Sequence, residues 1–277
     1  MKVYSYLLHF VRYLLAGGLL LTLATPVVAE LMLFPTRVVF EENERAAKVE
    51  LMNTGASNAT YRISLVNQRM SETGAFSKID EPRPGEQFAD QLLRYSPRQV
   101  TLLPGKGQTV RLMVRKPAGL EDGEYRSHLL FSRVPDAKPP TPNLEEEEIS
   151  IRVRTLVSVS IPVIVRQGNT SAEVTLTDLN LLDDAAEPML KFAIKRTGNQ
   201  SVYGDLSVTF VPRNGEPEVV ARANGVAVYT PNAVRRASIP LNLKQATVLA
   251  GGTLKLQYRE QAKDGGDLMA TTSLTLP

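Results

Sequence analysis

A strict alternation of side chains between Ile149 and Arg166 constrains the fold most. Most even positions in this stretch are polar, or hold Pro162. A period of two predicts one β-strand with a single apolar face, and at about 3.3 Å per residue it would extend about 50 Å, roughly three times an ordinary strand. The β-branched residues occupy every odd position, namely Ile149, Ile151, Val153, Thr155, Val157, Val159, Ile161, Val163 and Val165.

The length of this strand has a consequence for what covers it. A strand that long overruns one small sandwich, so part of its apolar row should be left for something outside its own domain. Pro162 cannot donate to a hydrogen-bond ladder and therefore belongs on a sheet edge. An edge strand with an open apolar row is a template for the addition of another strand.

The N-terminus predicts export. Lys2 and Arg12 precede an apolar run from Leu14 to Val28, and Val27-Val28-Ala29 suits signal peptidase. We expect residues 1–29 to be a cleaved signal peptide. The alternative is a membrane anchor, but the run is shorter than the roughly 20 residues that a membrane-spanning helix needs.

Composition excludes several classes of function. Without Lys2 and Arg12 the chain has 30 basic residues against 29 acidic ones, so it is nearly neutral and a nucleic-acid partner is not expected. The chain contains no cysteine, which excludes disulfides and thiolate chemistry. Stability must therefore come from the packed cores.

Short β-branched runs separated by Gly, Pro and Asn turns predict an all-β protein. We expect two immunoglobulin-like β-sandwich domains in tandem, at residues 30–167 and 168–277, with a hinge near Gly168. The first set of strands is Leu33 to Phe40, Ala47 to Met52, Thr60 to Val66, Gln99 to Leu103, Thr109 to Val114, Glu124 to Arg133 and the long run. The second is Ala172 to Leu176, Leu190 to Lys195, Leu206 to Val211, Glu218 to Ala223, Ala237 to Leu241, Thr253 to Tyr258 and Ala270 to Leu276.

Catalysis is not expected. Beyond the predicted signal peptide the only histidine is His128, and no cluster of His, Asp and Glu has the spacing of metal ligands. The sequence therefore predicts a protein that is not an enzyme, with no cofactor, no metal and no small-molecule substrate. Arg37 is the one cation in an apolar first strand, and its spacing leaves open whether it faces solvent or holds a carboxylate in a cleft.

Several segments together resemble one known family. They are Thr36-Arg37-Val38-Val39-Phe40, Tyr95-Ser96-Pro97, Leu103-Pro104-Gly105, Gln108-Thr109-Val110-Arg111-Leu112, Phe131-Ser132-Arg133-Val134-Pro135 and the alternating strand ending in Arg166. The chain resembles the periplasmic chaperones of the chaperone-usher pilus pathway, the PapD-like family, as a divergent member. The resemblance covers the first domain well and the second weakly. It implies two immunoglobulin-like domains set at an angle.

The family pattern also implies roles for individual residues. Arg37 matches the arginine that anchors the C-terminal carboxylate of a pilus subunit. Ile151, Val153, Val157 and Val159 match the row that fills the groove of a subunit, with Thr155 as a polar interruption. Glu124, Arg166 and Asp264 match a buried charge trio that fixes the angle between the domains. Pro162 stands where the family has a second basic anchor, so either Arg152 or Arg154 compensates or the carboxylate is held differently.

The resemblance implies an ATP-independent periplasmic chaperone that binds pilus subunits by donor-strand complementation and delivers them to an outer-membrane usher. An exported structural or adhesive module, whose long strand serves self-association, is the alternative. A hydrolase would need a Ser or Asp constellation that the sequence does not contain. The sequence leaves open which pilus is served and whether the free protein caps its own edge by dimerising.

Overall fold

The computed structural model describes residues 31–79, 81–135, 157–182, 187–243, 249 and 251–277. The predicted signal peptide and the predicted donor residues Ile151, Val153 and Thr155 lie outside this part of the chain, as do Arg152 and Arg154. Within it, no helix is long and apolar enough to cross a bilayer.

The first sandwich contains strands β1 to β11. One sheet has the order β1-β3-β9-β7, the facing sheet has the order β2-β11-β10-β4-β8, and β5 pairs with β6 in a separate hairpin. Alternate side chains of the two sheets meet in a shared apolar core that includes Phe40, Leu51, Leu112 and Phe131. The strands are β1 Leu31–Phe34, β2 Val38–Phe40, β3 Ala46–Asn53, β4 Ala59–Val66, β5 Gln68–Met70, β6 Phe76–Lys78, β7 Leu93–Ser96, β8 Gln99–Leu102, β9 Gly107–Val114, β10 Gly123–Arg133 and β11 Ser158–Gln167.

The single strand predicted from Leu33 to Phe40 is wrong, because the structure divides it. β1 pairs with β3 in one sheet, and β2 pairs in parallel with β11 in the other. Pro35 lies between them and has no N–H for a ladder, which is a physical reason for the strand to break there. The chain thus crosses from one sheet to the other just before Arg37.

The second sandwich follows after Gln167. Its sheets have the orders β12-β13-β16 and β15-β14-β17-β18. Their apolar faces enclose a second core that includes Phe192, Phe210, Leu254 and Tyr258. The strands are β12 Ala172–Leu182, β13 Met189–Gly198, β14 Val202–Val211, β15 Glu218–Val228, β16 Val234–Pro240, β17 Thr253–Glu260 and β18 Leu268–Thr275, and a short 3-10 helix covers Ala262–Asp264.

The two sandwiches share a packed interface. β10 is buried on both faces from Gly123 to Leu129, whereas a strand with one solvent face would alternate. Ile164 belongs to the first sandwich by the pairing of β11, and Met70 lies in the β5–β6 hairpin that precedes β7, but both side chains pack into the second core. The β2-β11-β10 face of the first sandwich is therefore covered by the second.

Candidate functional site

A cleft of about 930 Å³ lies between the sandwiches. We call it the interdomain cleft. The first sandwich contributes β2, β11 and the residues after β2, and the second contributes β12, the start of β14 and the 3-10 helix. Its lining residues are Arg37, Val39, Glu41, Glu44, Arg166, Ala172, Glu173, Val174, Thr175, Gln200, Ser201, Val202, Tyr203, Glu260, Lys263, Asp264 and Met269.

Arg37 is held at this cleft without a carboxylate partner among the residues that the structure describes. It immediately precedes β2 and is half-buried. Its Cζ lies 4.8 Å from the centroid of the Tyr203 ring, which belongs to the second sandwich. Its Nε is buried and has no hydrogen-bond partner among the described residues. A guanidinium oriented by an aromatic face and lacking an ion pair is available to an incoming anion.

Arg166, by contrast, is already neutralised. Its Nη1 donates to Glu41 Oε1 at 2.5 Å, and its Nε donates to Glu124 Oε2 at 3.3 Å. The Glu124 side chain is fully buried, and its Oε2 also accepts from the backbone N–H of Ser201 at 3.1 Å. Glu124 therefore joins the first sandwich to the second through one carboxylate.

Asp264 is not part of this network. It is exposed in the 3-10 helix and lines the cleft, but it forms no ion pair with Arg166 within the described residues. Glu41, which follows β2 directly, contacts the guanidinium instead. The predicted charge trio is thus replaced in the structure by Glu41, Glu124 and Arg166, and the sequence resemblance pointed to the wrong third carboxylate.

The other charged residues of the cleft do not provide a second half-buried cation without a carboxylate partner among the described residues. The other lining cations are Arg166 and the exposed Lys263. The lining carboxylates outnumber the cations, so a bound carboxylate would depend on the local geometry at Arg37 rather than on the overall charge. Pro162 lies opposite His128 in the β10–β11 ladder.

The N-terminal part of β11 has an open side. The N–H of Arg133 donates to the carbonyl of Val157 at 3.5 Å, which orients the backbone groups of odd residues toward β10 and those of even residues away from it. β2 covers that outer side only opposite Val163 to Val165. Along Ser158 to Pro162 no other described strand pairs there. Pro162 faces this open side, where its missing N–H interrupts no bond to β10.

The apolar row of β11 is divided between two environments. Ile161, Val163 and Val165 are buried in the first core, and Val159 is partly buried against it. Val157 has 64 % of its surface exposed. The late part of the predicted row thus fills its own domain, and the row becomes exposed at Val157.

Sequence reasoning missed two polar residues of the interface, Arg126 and His128, whereas Glu124 is expected to be buried from the family resemblance. Alternation along β10 places Glu124, Arg126 and His128 on the face away from the first core, which is the pattern of a solvent face, yet all three are buried beneath the second sandwich. The only signal in the sequence is Ile164, an apolar residue among the even positions of β11. Arg126 pairs with Ile164 in register.

His128 is packed rather than poised for proton transfer. Its ring meets Phe76 edge-on at a centroid distance of 5.1 Å, and neither ring nitrogen has a partner among the described residues. Burial, together with the nearby charge of Arg126, lowers the pKa of His128 to about 3. The imidazole is therefore neutral at neutral pH. No group of three His, Asp or Glu in the described part of the chain could hold a metal ion.

A known protein family matches the part of the chain that forms the first sandwich. Residues 30–168 match the family described as "Pili and flagellar-assembly chaperone, PapD N-terminal domain". No curated protein sequence matches the chain.

Solved structures are similar at low identity. One is the Pseudomonas aeruginosa CupB2 chaperone, at 13% identity over 89% of this chain and 100% of that one, with a TM-score of 0.46. A second is the CsuC-CsuE chaperone-tip adhesion subunit pre-assembly complex of Acinetobacter baumannii, at 15% identity over 90% and 100%, with a TM-score of 0.46. A third is the Salmonella enterica SafA pilin in complex with the SafB chaperone, at 12% identity over 91% and 99%, with a TM-score of 0.43.

The family match spans the whole first sandwich, including Arg37, both strands that carry the Glu124–Arg166 ion pair, and the open edge of β11. The chain belongs to the PapD-like family of pili- and flagellar-assembly chaperones.

Proposed function

We propose that this protein is an ATP-independent periplasmic chaperone that binds pilus subunits by donating the open side of β11. The observation that carries the proposal is the outer side of Ser158 to Pro162, which pairs with no described strand and ends at exposed Val157. An incomplete sandwich could satisfy its own unpaired edge against these backbone groups.

Side-chain burial would supply much of the driving force. Val157 continues the predicted donor row of Ile151, Val153 and Thr155, and Val159 is only partly buried. Burying a Val or Ile side chain contributes roughly 1.5 to 3 kcal/mol, so three or four of them give several kcal/mol before the cost of association. No nucleotide is needed for an exchange driven by burial.

Arg37 is proposed as the anchor for the C-terminal carboxylate of the subunit. Its guanidinium is free of ion pairs within the described residues and is stacked on Tyr203 at the cleft. A bidentate contact to a carboxylate would set the register of the donated strand. Export by the predicted signal peptide, delivery to an outer-membrane usher and fixing of the domain angle by the charge network belong to the same proposal.

The test is recovery of a pilus subunit from the periplasm on a tagged chaperone. We expect Val157→Asp to lower recovery about tenfold, because a charge would be buried in the subunit groove. Val219→Asp is the matched control, since Val219 is a valine of the second sandwich with 43% exposure. Unchanged recovery with Val157→Asp would contradict strand donation, and polymerisation of the isolated protein on size exclusion would favour the structural module instead.

A further inference from the structure

Arg126 is a buried cation held by aromatic rings from both sandwiches. Its Cζ lies 4.5 Å from the centroid of Tyr229 in the second sandwich and 5.9 Å from that of Phe76 in the first. Its Nε and Nη1 have no hydrogen-bond partner among the described residues. A buried guanidinium without an ion pair is a poor way to stabilise a core, which points to another role.

The ring of Phe76 is supplied by a hairpin that reaches the second sandwich. Met70 packs into the second core, and its carbonyl accepts from Asn232 Nδ2 at 2.8 Å. The carbonyl of Glu72 accepts from the backbone N–H of Arg236 on β16 at 2.7 Å. The β5–β6 hairpin and Arg126 therefore form one contact region between the sandwiches.

This contact region is connected to the cleft on the second sandwich. Tyr229 directly follows β15, and β15 pairs with β14 so that Val228 lies opposite Val202 and Ala227 opposite Tyr203. Tyr229, just beyond the end of β15, and Tyr203, on β14, thus lie at the same end of one sheet. The pairing of β14 with β15 therefore links the position of Tyr229 to that of Tyr203.

The first sandwich has a matching connection. Arg126 lies opposite Ile164, and Ile164 lies opposite Val39, two residues after Arg37. Arg126 and Arg37 therefore share one sheet face, and each stacks on a tyrosine of the second sandwich. The two stacking contacts together fix how that sheet face meets the second sandwich.

We propose that Arg126 is a positioning residue whose stacking between Phe76 and Tyr229 fixes the orientation of the second sandwich and thereby holds Tyr203 against Arg37. Domains of one chain move relative to each other unless their interface is large and apolar, so a specific contact of this kind sets the preferred orientation. The role of Arg126 in the orientation of the sandwiches can be tested on the free protein. Its effect on subunit binding rests on the proposed function.

The test measures a distance between the sandwiches in the full chain. The protein has no cysteine, so nitroxide labels on Lys48→Cys and Lys255→Cys report one pair of exposed sites, one on each sandwich. We expect Arg126→Met to broaden the label-to-label distance distribution about twofold. Arg98→Met is the matched control, because Arg98 stacks on Tyr95 at 4.1 Å within the first sandwich and should leave the distribution unchanged.

A second variant and a binding measurement complete the test. Phe76→Ala removes one ring at a half-exposed site and should broaden the distribution while Arg126 stays in place. Arg126→Met should also lower subunit recovery about fivefold. Unaltered distributions in both variants would overturn the positioning role, and a broadened distribution with full recovery would overturn its connection to the cleft. Val157→Asp should lower subunit recovery without changing the distance distribution. If Val157→Asp leaves recovery unchanged, the proposed function fails. The distance distributions of the Arg126 and Phe76 variants would still decide the role of Arg126.

Discussion

At the scale of single residues, the polar groups buried between the sandwiches determine how stability responds to pH and to mutation. Glu124, Arg126 and His128 are adjacent on one face of β10, and none of them reaches bulk solvent. The Oε2 atom of Glu124 accepts from Arg166 and from the N–H of Ser201, whereas neither ring nitrogen of His128 has a partner among the described residues. The two residues therefore give different predictions.

Because His128 is buried as a neutral imidazole, the protein is expected to lose stability in mild acid. Its folded-state pKa of about 3 lies below the ordinary value of 6.5, so the unfolded chain takes up a proton that the folded chain refuses. The stabilisation is complete above about pH 6.5 and falls as the pH drops toward 3. Between pH 7 and pH 5 the free energy of unfolding should fall by about 2 kcal/mol. Urea unfolding at the two pH values measures this.

The control for this prediction is His128→Leu. Beyond the predicted signal peptide the chain has no other histidine, so the variant should lose most of the difference between the two pH values. An identical pH dependence in the variant would show that His128 is not the group responsible.

Substitution of Glu124 is expected to lower stability, because its carboxylate joins the two sandwiches. Glu124→Ala leaves Arg166 and the Ser201 N–H without their buried acceptor. Because Arg166 keeps Glu41, we expect the free energy of unfolding to fall by about 2 to 3 kcal/mol, near the lower end for a broken buried pair. Glu50→Ala on the exposed face of β3 should change it by less than about 0.5 kcal/mol, and equal losses in the two variants would contradict the buried network.

At the scale of elements, the β5–β6 hairpin belongs to the first sandwich in sequence but packs Met70 into the second core. Met70 is 3% exposed and packs among second-core residues. Met70→Ala should lower the free energy of unfolding by about 2 to 3 kcal/mol, because it leaves a cavity in that core. Met113→Ala, at a methionine with 59% exposure, is the matched control and should be nearly neutral.

Calorimetry distinguishes which sandwich the hairpin supports. If Met70→Ala lowered only the unfolding temperature of the first sandwich, the assignment of this side chain to the second core would be contradicted. A shift in the transition of the second sandwich is the expected result.

The elements also show what the sequence could predict. The period-two alternation of Ile161, Val163 and Val165 correctly predicted a strand with one apolar face, because these side chains fill a core on one side of a pleated sheet. The sequence does not show that the strand from Leu33 to Phe40 is divided, because an edge strand tolerates a proline such as Pro35 and no local feature indicates a change of sheet.

At the scale of the whole molecule, the tandem all-β fold was predictable and the interface was not. A polar residue in a strand has the same alternation whether it faces water or a second domain, so the alternation along β10 does not indicate that Arg126 and His128 are buried. Only the family resemblance predicts that Glu124 is buried. The third carboxylate of the charge network was missed for a related reason. Asp264 matched the family pattern in sequence, but Glu41 follows β2 directly and so lies beside Arg166 in the folded chain.

The two halves of β11 have different roles in the whole molecule. Val163 to Val165 are fixed between β10 and β2, while Ser158 to Pro162 have β10 on one side and no described strand on the other. A rigid strand with one open side is suited to supply backbone hydrogen bonds to a partner without reorganising its own domain. Strand donation by β11 should therefore change the environment of particular amides, those of Ser158 and Ser160.

The most direct measurement is amide hydrogen exchange of the chaperone with and without a bound pilus subunit, resolved at Ser158 and Ser160. We predict that both amides exchange rapidly in the free protein and become protected in the complex, while the amides of Val163 and Val165 are protected in both. Unchanged exchange at Ser158 and Ser160 in a stable complex would contradict strand donation by β11.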